Sequence, residues 1–195
     1  MVRDQTNHSV VRMRALAALA ASFLLLLFGA DRAIAQAGGI GGPADPTAPP
    51  PPAAGSFVFP VQGTHNYGDA GARFGAGRAG HVHTGQDVFA ACATPLVAIT
   101  NTKVVLTGFQ KLAGNYLVLR YKKMRHDYFY AHMATAPLVT KGQVLAPGQQ
   151  VGTVGDTGNA SGCHLHFELW KRPGWYRGGK AVDPLPTLLA WDPAF

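Results

Sequence analysis

From Phe57 onward short apolar stretches alternate with turn-forming residues, and this punctuation restricts the fold more than any other feature of the chain. The stretches at 56–60, 85–90, 95–100, 104–109, 116–121, 128–132, 150–154 and 164–170 all have strand length. Asn101-Thr102, Ala113-Gly114-Asn115, Lys141-Gly142 and Asp156-Thr157-Gly158-Asn159 separate them with residues that tolerate turn backbone angles. Only residues 184–189 read as a helical turn. With 24 Gly, 14 Pro and 14% charged residues, long surface helices have little to be built from, so the chain is expected to be mainly β with little helix.

The first 55 residues follow different rules. Arg3, Arg12 and Arg14 precede an apolar run over 15–30, and Ala33-Ile34-Ala35 supplies a small-x-small cleavage pattern, so 1–35 is read as an export signal. The run is shorter than the ~20 residues that a spanning helix needs. Export is therefore expected without a membrane anchor in the mature form, unless the N-terminal segment is retained. Residues 36–55, almost entirely Ala, Gly and Pro and including Pro49-Pro50-Pro51-Pro52, can bury little and read as an extended linker. One folded domain is expected over 56–190, in a location that is extracellular, periplasmic or within the cell envelope.

Charge narrows the partner. The formal net charge is +7, and beyond residue 35 thirteen basic and eight acidic residues leave +5. The basic residues are scattered, without the block or aromatic interleaving of a nucleic-acid groove, so no nucleic-acid partner is expected. An anionic wall polymer would suit such a surface, and a solvated face explains it equally well.

The chemistry lies in the histidines. Five of the eight fall in three clusters: His81-Val82-His83 leading to Asp87, then Tyr130-Ala131-His132, then His164-Leu165-His166. Strand side chains alternate faces, so His164 and His166 share one, and so do His83 and Asp87 if the strand is regular there. Imidazole and carboxylate donors with one position left for water make a catalytic zinc site. Each pair alone has a bland reading, as core or surface histidines making ordinary hydrogen bonds. Together, in an exported chain, they point to a metal. Spacing leaves open which imidazoles bind, because both members of an H-x-H pair can reach one ion.

The segments His83-Thr84-Gly85-Gln86-Asp87, Thr94-Pro95-Leu96-Val97-Ala98, Tyr130-Ala131-His132, Gly148-Gln149-Gln150-Val151-Gly152, Gly155-Asp156-Thr157-Gly158 and His164-Leu165-His166-Phe167-Glu168 resemble, in order, the lysostaphin-type zinc endopeptidases of the bacterial cell wall. The resemblance covers roughly 57–189 and includes a closing Val182-Asp183-Pro184. It implies an antiparallel β-sheet or β-sandwich core and one Zn2+ per domain, held by His83, Asp87 and His166. It further implies that His132 and His164 face the substrate as general base and oxyanion stabiliser, with the division of roles open. Tyr130 is expected to shape the substrate wall of the cleft, and Glu168 is either a partner of a ligand or simply a strand residue. His81 reads as a rim residue. The implied activity is hydrolysis of peptidoglycan cross-links by a monomer. Direct stem-to-stem links and glycine bridges both occur among such substrates, and the loops at 63–80 and 133–140 carry no readable code for either.

Two small departures accompany the resemblance: Asn101-Thr102 stands where a turn glycine is usual, and Cys163 precedes His164. Paired cysteines are the rule in exported proteins, so a Cys92–Cys163 disulfide is expected, joining the two strands that carry opposite halves of the site. Thiolate ligation would close the site to water. Two rival functions share the same residues: a wall-binding module without hydrolysis, and a zinc peptidase acting on a non-wall protein.

Overall fold

The computed structural model describes residues 56–194; the export signal read at 1–35 and the linker read at 36–55 lie outside them. Twelve strands follow in order: β1 (His65–Asn66), β2 (Gly77–Arg78), β3 (His81–Val82), β4 (Gln86–Ala90), β5 (Pro95–Val97) and β6 (Thr102–Gln110), then β7 (Gly114–Tyr121), β8 (His126–Met133), β9 (Val144–Leu145), β10 (Gln150–Thr153), β11 (His164–Lys171) and β12 (Ala181–Val182). Two short 3-10 turns, at Ala70–Ala72 and Trp175–Arg177, and one α-helix, α1 (Leu185–Trp191), complete the described chain. The mainly β, antiparallel expectation with little helix therefore holds.

The main sheet is ordered β1-β4-β11-β8-β7-β6-β9, with β12 added to β11, and every pairing is antiparallel. Strands β5 and β10 form a second small sheet, and β2 and β3 form a separate hairpin. Period-two alternation divides the main sheet into two faces. Val88, Leu117, Leu119, Tyr128, Tyr130, Leu165 and Phe167 point to one side, where they join Leu96, Ile99, Val151, Val154 and Leu188 in the principal core. The opposite face carries Asp87, His164, His166 and Glu168, beside a smaller apolar cluster of Val118, Phe129 and Ala131. The sheet thus has one dry face and one chemical face. Register fixes which residues meet: His166 pairs with Asp87 on β4 and with Ala131 on β8.

Residues 56–60, expected as a strand, do not form one. Val58 donates to the Ile99 carbonyl and Val97 donates to that of Pro60, but Pro60 has no N–H to return, and pairing is confined to a single bridge from Val61 to Leu96. Among the described residues no helix is long and apolar enough to cross a membrane.

Candidate metal centre and catalytic cleft

Three donor atoms converge on the chemical face. His83 Nε2 and His166 Nδ1 lie 2.9 Å apart, and each is 3.0 Å from Asp87 Oδ1. Asp87 and His166 meet because their strands place them in register. His83 arrives by another route: β4 begins only at Gln86, so His83 lies in the bend between β3 and β4 rather than on a regular strand with Asp87. Gly85 permits that bend. A Cβ there would stand 2.5 Å from the Phe167 carbonyl oxygen and 2.8 Å from His166 Cε1, so any side chain would push the segment off β11 and displace the ring.

Each imidazole in the cleft has one nitrogen committed to an acceptor, which fixes the other as the free lone pair. His83 Nδ1 donates to the Arg73 carbonyl (2.9 Å), His132 Nδ1 to that of Thr157 (2.8 Å), and His164 Nδ1 to that of Gly162 (2.8 Å). His166 Nε2 donates to Glu168 Oε1 (3.0 Å). Glu168 is buried and fully engaged, accepting also from Thr84 Oγ1 and, on Oε2, from Trp170 Nε1 (2.6 Å). Glu168 is therefore a partner of His166 and not merely a strand residue.

Two nitrogens 2.9 Å apart, both committed elsewhere through their rings, require a proton or a cation between them. With the Asp87 oxygen they supply the nitrogen and carboxylate donors that zinc takes, and among the described residues they form a group able to hold a metal ion. The electrostatics of these donors agree. Burial would raise the Asp87 carboxyl, but hydrogen bonds from His166 and His83 and their charges hold it well below the usual carboxylate range. Burial would lower His166, but its bonds to Asp87 and Glu168 outweigh that and raise it to about 9.

The other two histidines flank this centre. His164 Nε2 is 3.7 Å from Asp87 Oδ1, and the His132 and His164 rings are 4.6 Å apart. Burial lowers both, His132 to about 4 against the pull of the Thr157 carbonyl, so both are neutral near pH 7. His132 reaches the cleft through a backbone anomaly. On β8, Tyr128 and Tyr130 face the core while Phe129 and Ala131 face the cleft, so regular alternation would send His132 to the core. Its φ of +58° reverses the alternation and swings the ring to the cleft.

Regular alternation up to that point keeps Tyr130 in the core, which corrects the expectation that it shapes the substrate wall. Its side chain is fully buried and its hydroxyl donates to the Val97 carbonyl (3.0 Å), so it stiffens the floor from behind and does not line the substrate wall. The wall is formed by residues that the sequence did not single out, Phe129 and Trp175, with rings stacked at 4.8 Å. They line a cleft of about 1020 Å³ together with the histidines, and His81 sits exposed on its rim. Arg78, also unforeseen, reaches Asp87 Oδ2 from the β2–β3 hairpin at 3.2 Å. Only its position in the glycine-rich stretch Gly75 to Gly80, just before His81, marked it in the sequence. The expected disulfide joins Cys92 to Cys163 with a Cα separation of 5.2 Å, tying the end of β4 to the start of β11.

Residues 81–184 match the model of peptidase family M23. The chain is 30% identical over 148 residues to the L-Ala–D-Glu endopeptidase of Bacillus subtilis, covering 70% of this chain and 44% of that protein. It is 37% identical over 107 residues to a peptidoglycan DD-endopeptidase of Vibrio cholerae, covering 55% of this chain and 24% of that one. It therefore spans less than half the length of either relative. Among solved structures, a zinc containing peptidase from Vibrio cholerae aligns with a TM-score of 0.54 at 30% identity, over 66% of this chain and 39% of that one. The catalytic domain of lysostaphin from Staphylococcus simulans aligns with a TM-score of 0.54 at 30% identity, over 65% of this chain and 92% of that domain.

Proposed function

The chain belongs to peptidase family M23, and from that premise we propose that it is a zinc endopeptidase hydrolysing the peptide cross-links of bacterial peptidoglycan. The observation that carries the reading is the convergence of His83 Nε2, Asp87 Oδ1 and His166 Nδ1 beside two neutral histidines in an open cleft. One of the relatives named above is a peptidoglycan DD-endopeptidase and another an L-Ala–D-Glu endopeptidase, and the scattered positive charge suits an anionic wall polymer.

In this reading His83, Asp87 and His166 hold one zinc ion per domain. Bound zinc supplies Lewis acidity, which polarises a carbonyl and lowers the pKa of water toward ~7. The chain's own residues do the rest. His164 and His132 present bare nitrogens because their N–H groups are engaged by Gly162 and Thr157. One accepts the proton of the attacking water and returns it to the leaving amine, a role typically worth ~10²- to 10⁴-fold. The other, once its bare nitrogen has taken up a proton, steadies the negative charge on the former carbonyl oxygen. His164, nearer to Asp87, is the better placed base. Glu168 keeps the His166 ring turned so that Nδ1 faces the donors. Phe129 and Trp175 give the substrate an apolar wall that limits water on that side.

The basic and apolar N-terminus with its Ala33-Ile34-Ala35 site supports export, which brings a monomeric enzyme to the wall, with no membrane contact once the segment is removed. The test is release of new amino groups from purified peptidoglycan, lost on chelation and restored by zinc. A wall-binding module would retain peptidoglycan without releasing amines, and a peptidase for other proteins would leave it intact.

A further inference from the structure

Arg78 is the one lysine or arginine among the described residues that line the cleft. It lies on the β2–β3 hairpin, and its side chain is about a third exposed. A guanidinium carries five donors in a planar fork. Here a single bond, Nη2 to Asp87 Oδ2 at 3.2 Å, is the described engagement, which leaves most of the fork facing the cleft. The carboxylates around it are committed. Asp87 Oδ1 lies 3.0 Å from a ring nitrogen of each of two histidines, Glu168 accepts from three side chains, and Asp69, also on the cleft, caps the turn at Gly71. A cation beside the metal-ligand candidate Asp87, in a cleft whose carboxylates Asp69, Asp87 and Glu168 are already engaged, can receive an anion carried by the substrate.

Resting on the peptidase reading, we propose that Arg78 binds a free carboxylate on the residue next to the scissile bond. The preferred substrate class is then a cross-link between stem peptides that bear such carboxylates, over uncharged glycine bridges. Planar bidentate pairing is the geometry in which arginine meets a carboxylate, and a neutral carboxamide at the same place forfeits the charge. A divalent ion on Asp87 adds positive charge beside Arg78 and weakens the hold of Asp87 on the guanidinium, which favours an external carboxylate further.

The test uses the zinc-loaded protein and three synthetic cross-linked peptides: one with the free carboxylate, one with the carboxamide in its place, and one with a glycine bridge. The expected result is a kcat/KM about tenfold higher for the carboxylate than for the carboxamide, arising in KM and shrinking at high salt, as an exposed ion pair does. In Arg78→Gln, with zinc content checked, the ratio falls to about one, and Arg78→Lys restores part of it. Titration of the wild-type protein with the carboxylate-bearing product should show the same preference without turnover. Equal kcat/KM for carboxylate and carboxamide in wild-type protein, or an unchanged ratio in Arg78→Gln, overturns the role of Arg78 while leaving the peptidase reading intact. If Arg78→Gln loses zinc, the product titration and the salt dependence of the wild-type ratio decide instead. Failure to cleave any of the three peptides with zinc bound overturns both readings.

Discussion

At the scale of single residues, the site depends on which nitrogen of each histidine is left free. The four backbone and carboxylate acceptors at Arg73, Thr157, Gly162 and Glu168 settle that, and in the proposed reading the free nitrogens of His83 and His166 hold the metal while those of His132 and His164 do not. His166→Ala and Asp87→Ala should therefore lose both zinc and activity. His164→Ala should keep stoichiometric zinc and lose ~10²-fold or more in kcat, which metal analysis beside peptide hydrolysis will check. Equal loss of metal in all three variants would contradict the division. Glu168→Gln keeps the shape of the side chain but removes the charge that orients His166, so zinc affinity should fall by ~10- to 100-fold, read by competition with a chromophoric chelator. The motif histidines and Asp87 were legible in the sequence because metal donors cluster conspicuously. Arg78, Phe129 and Trp175 were not, since an arginine in a turn and aromatics in a β chain carry no such mark.

At the scale of elements, antiparallel register turns distant residues into neighbours. The β4–β11 pairing sets Asp87 opposite His166, and the Cys92–Cys163 bond pins one end of that pair. The disulfide closes a loop of 71 residues, for which the chain-entropy model gives about 4 kcal/mol. Replacing both cysteines by serine should lower the unfolding free energy by up to that amount in denaturant titrations, with zinc affinity weakened because the ligand strands are less well held. An unchanged midpoint would remove the disulfide from the account. The strands themselves were largely readable, because 85–90, 104–109, 116–121 and 164–170 each fall within one residue or a few of an observed strand. What failed was parity. Tyr130 and His132, two apart, would share a face on a regular strand, but the positive φ at His132 puts one in the core and the other in the cleft. His83 likewise reaches the site from a bend and not by alternation. Local backbone reversals of this kind are imposed by tertiary packing and leave the side-chain pattern unchanged.

At the scale of the whole molecule, early and late residues of the folded region are clasped together. Asp192, just after α1, accepts from His65 Nε2 at 2.8 Å and from Tyr67 Oη at 2.7 Å, and its side chain is fully buried. Burial would raise its carboxyl, but the bonds from His65, the Ala194 N–H and Tyr67 lower it below the usual carboxylate value. A carboxyl lowered on folding contributes stability that is present above its unfolded pKa of ~4 and is lost as pH falls through the folded value. Asp192→Ala should thus cost ~1–3 kcal/mol at neutral pH, with the gap to wild type narrowing below pH ~4 in thermal melts across pH. A gap independent of pH would show that the clasp acts by packing alone. The β class was legible because turn residues punctuate the chain so regularly, whereas this clasp joins residues 127 positions apart and left no local signature.

In the proposed enzyme His83, Asp87 and His166 converge on one zinc ion while His132 and His164 stand beside it unligated. Crystals of the zinc-loaded protein, measured on both sides of the zinc absorption edge, test it most directly. The account predicts a single anomalous peak within ~2.0–2.2 Å of His83 Nε2, Asp87 Oδ1 and His166 Nδ1. A peak bonded to His132 or His164, or none between the three donors, would contradict it.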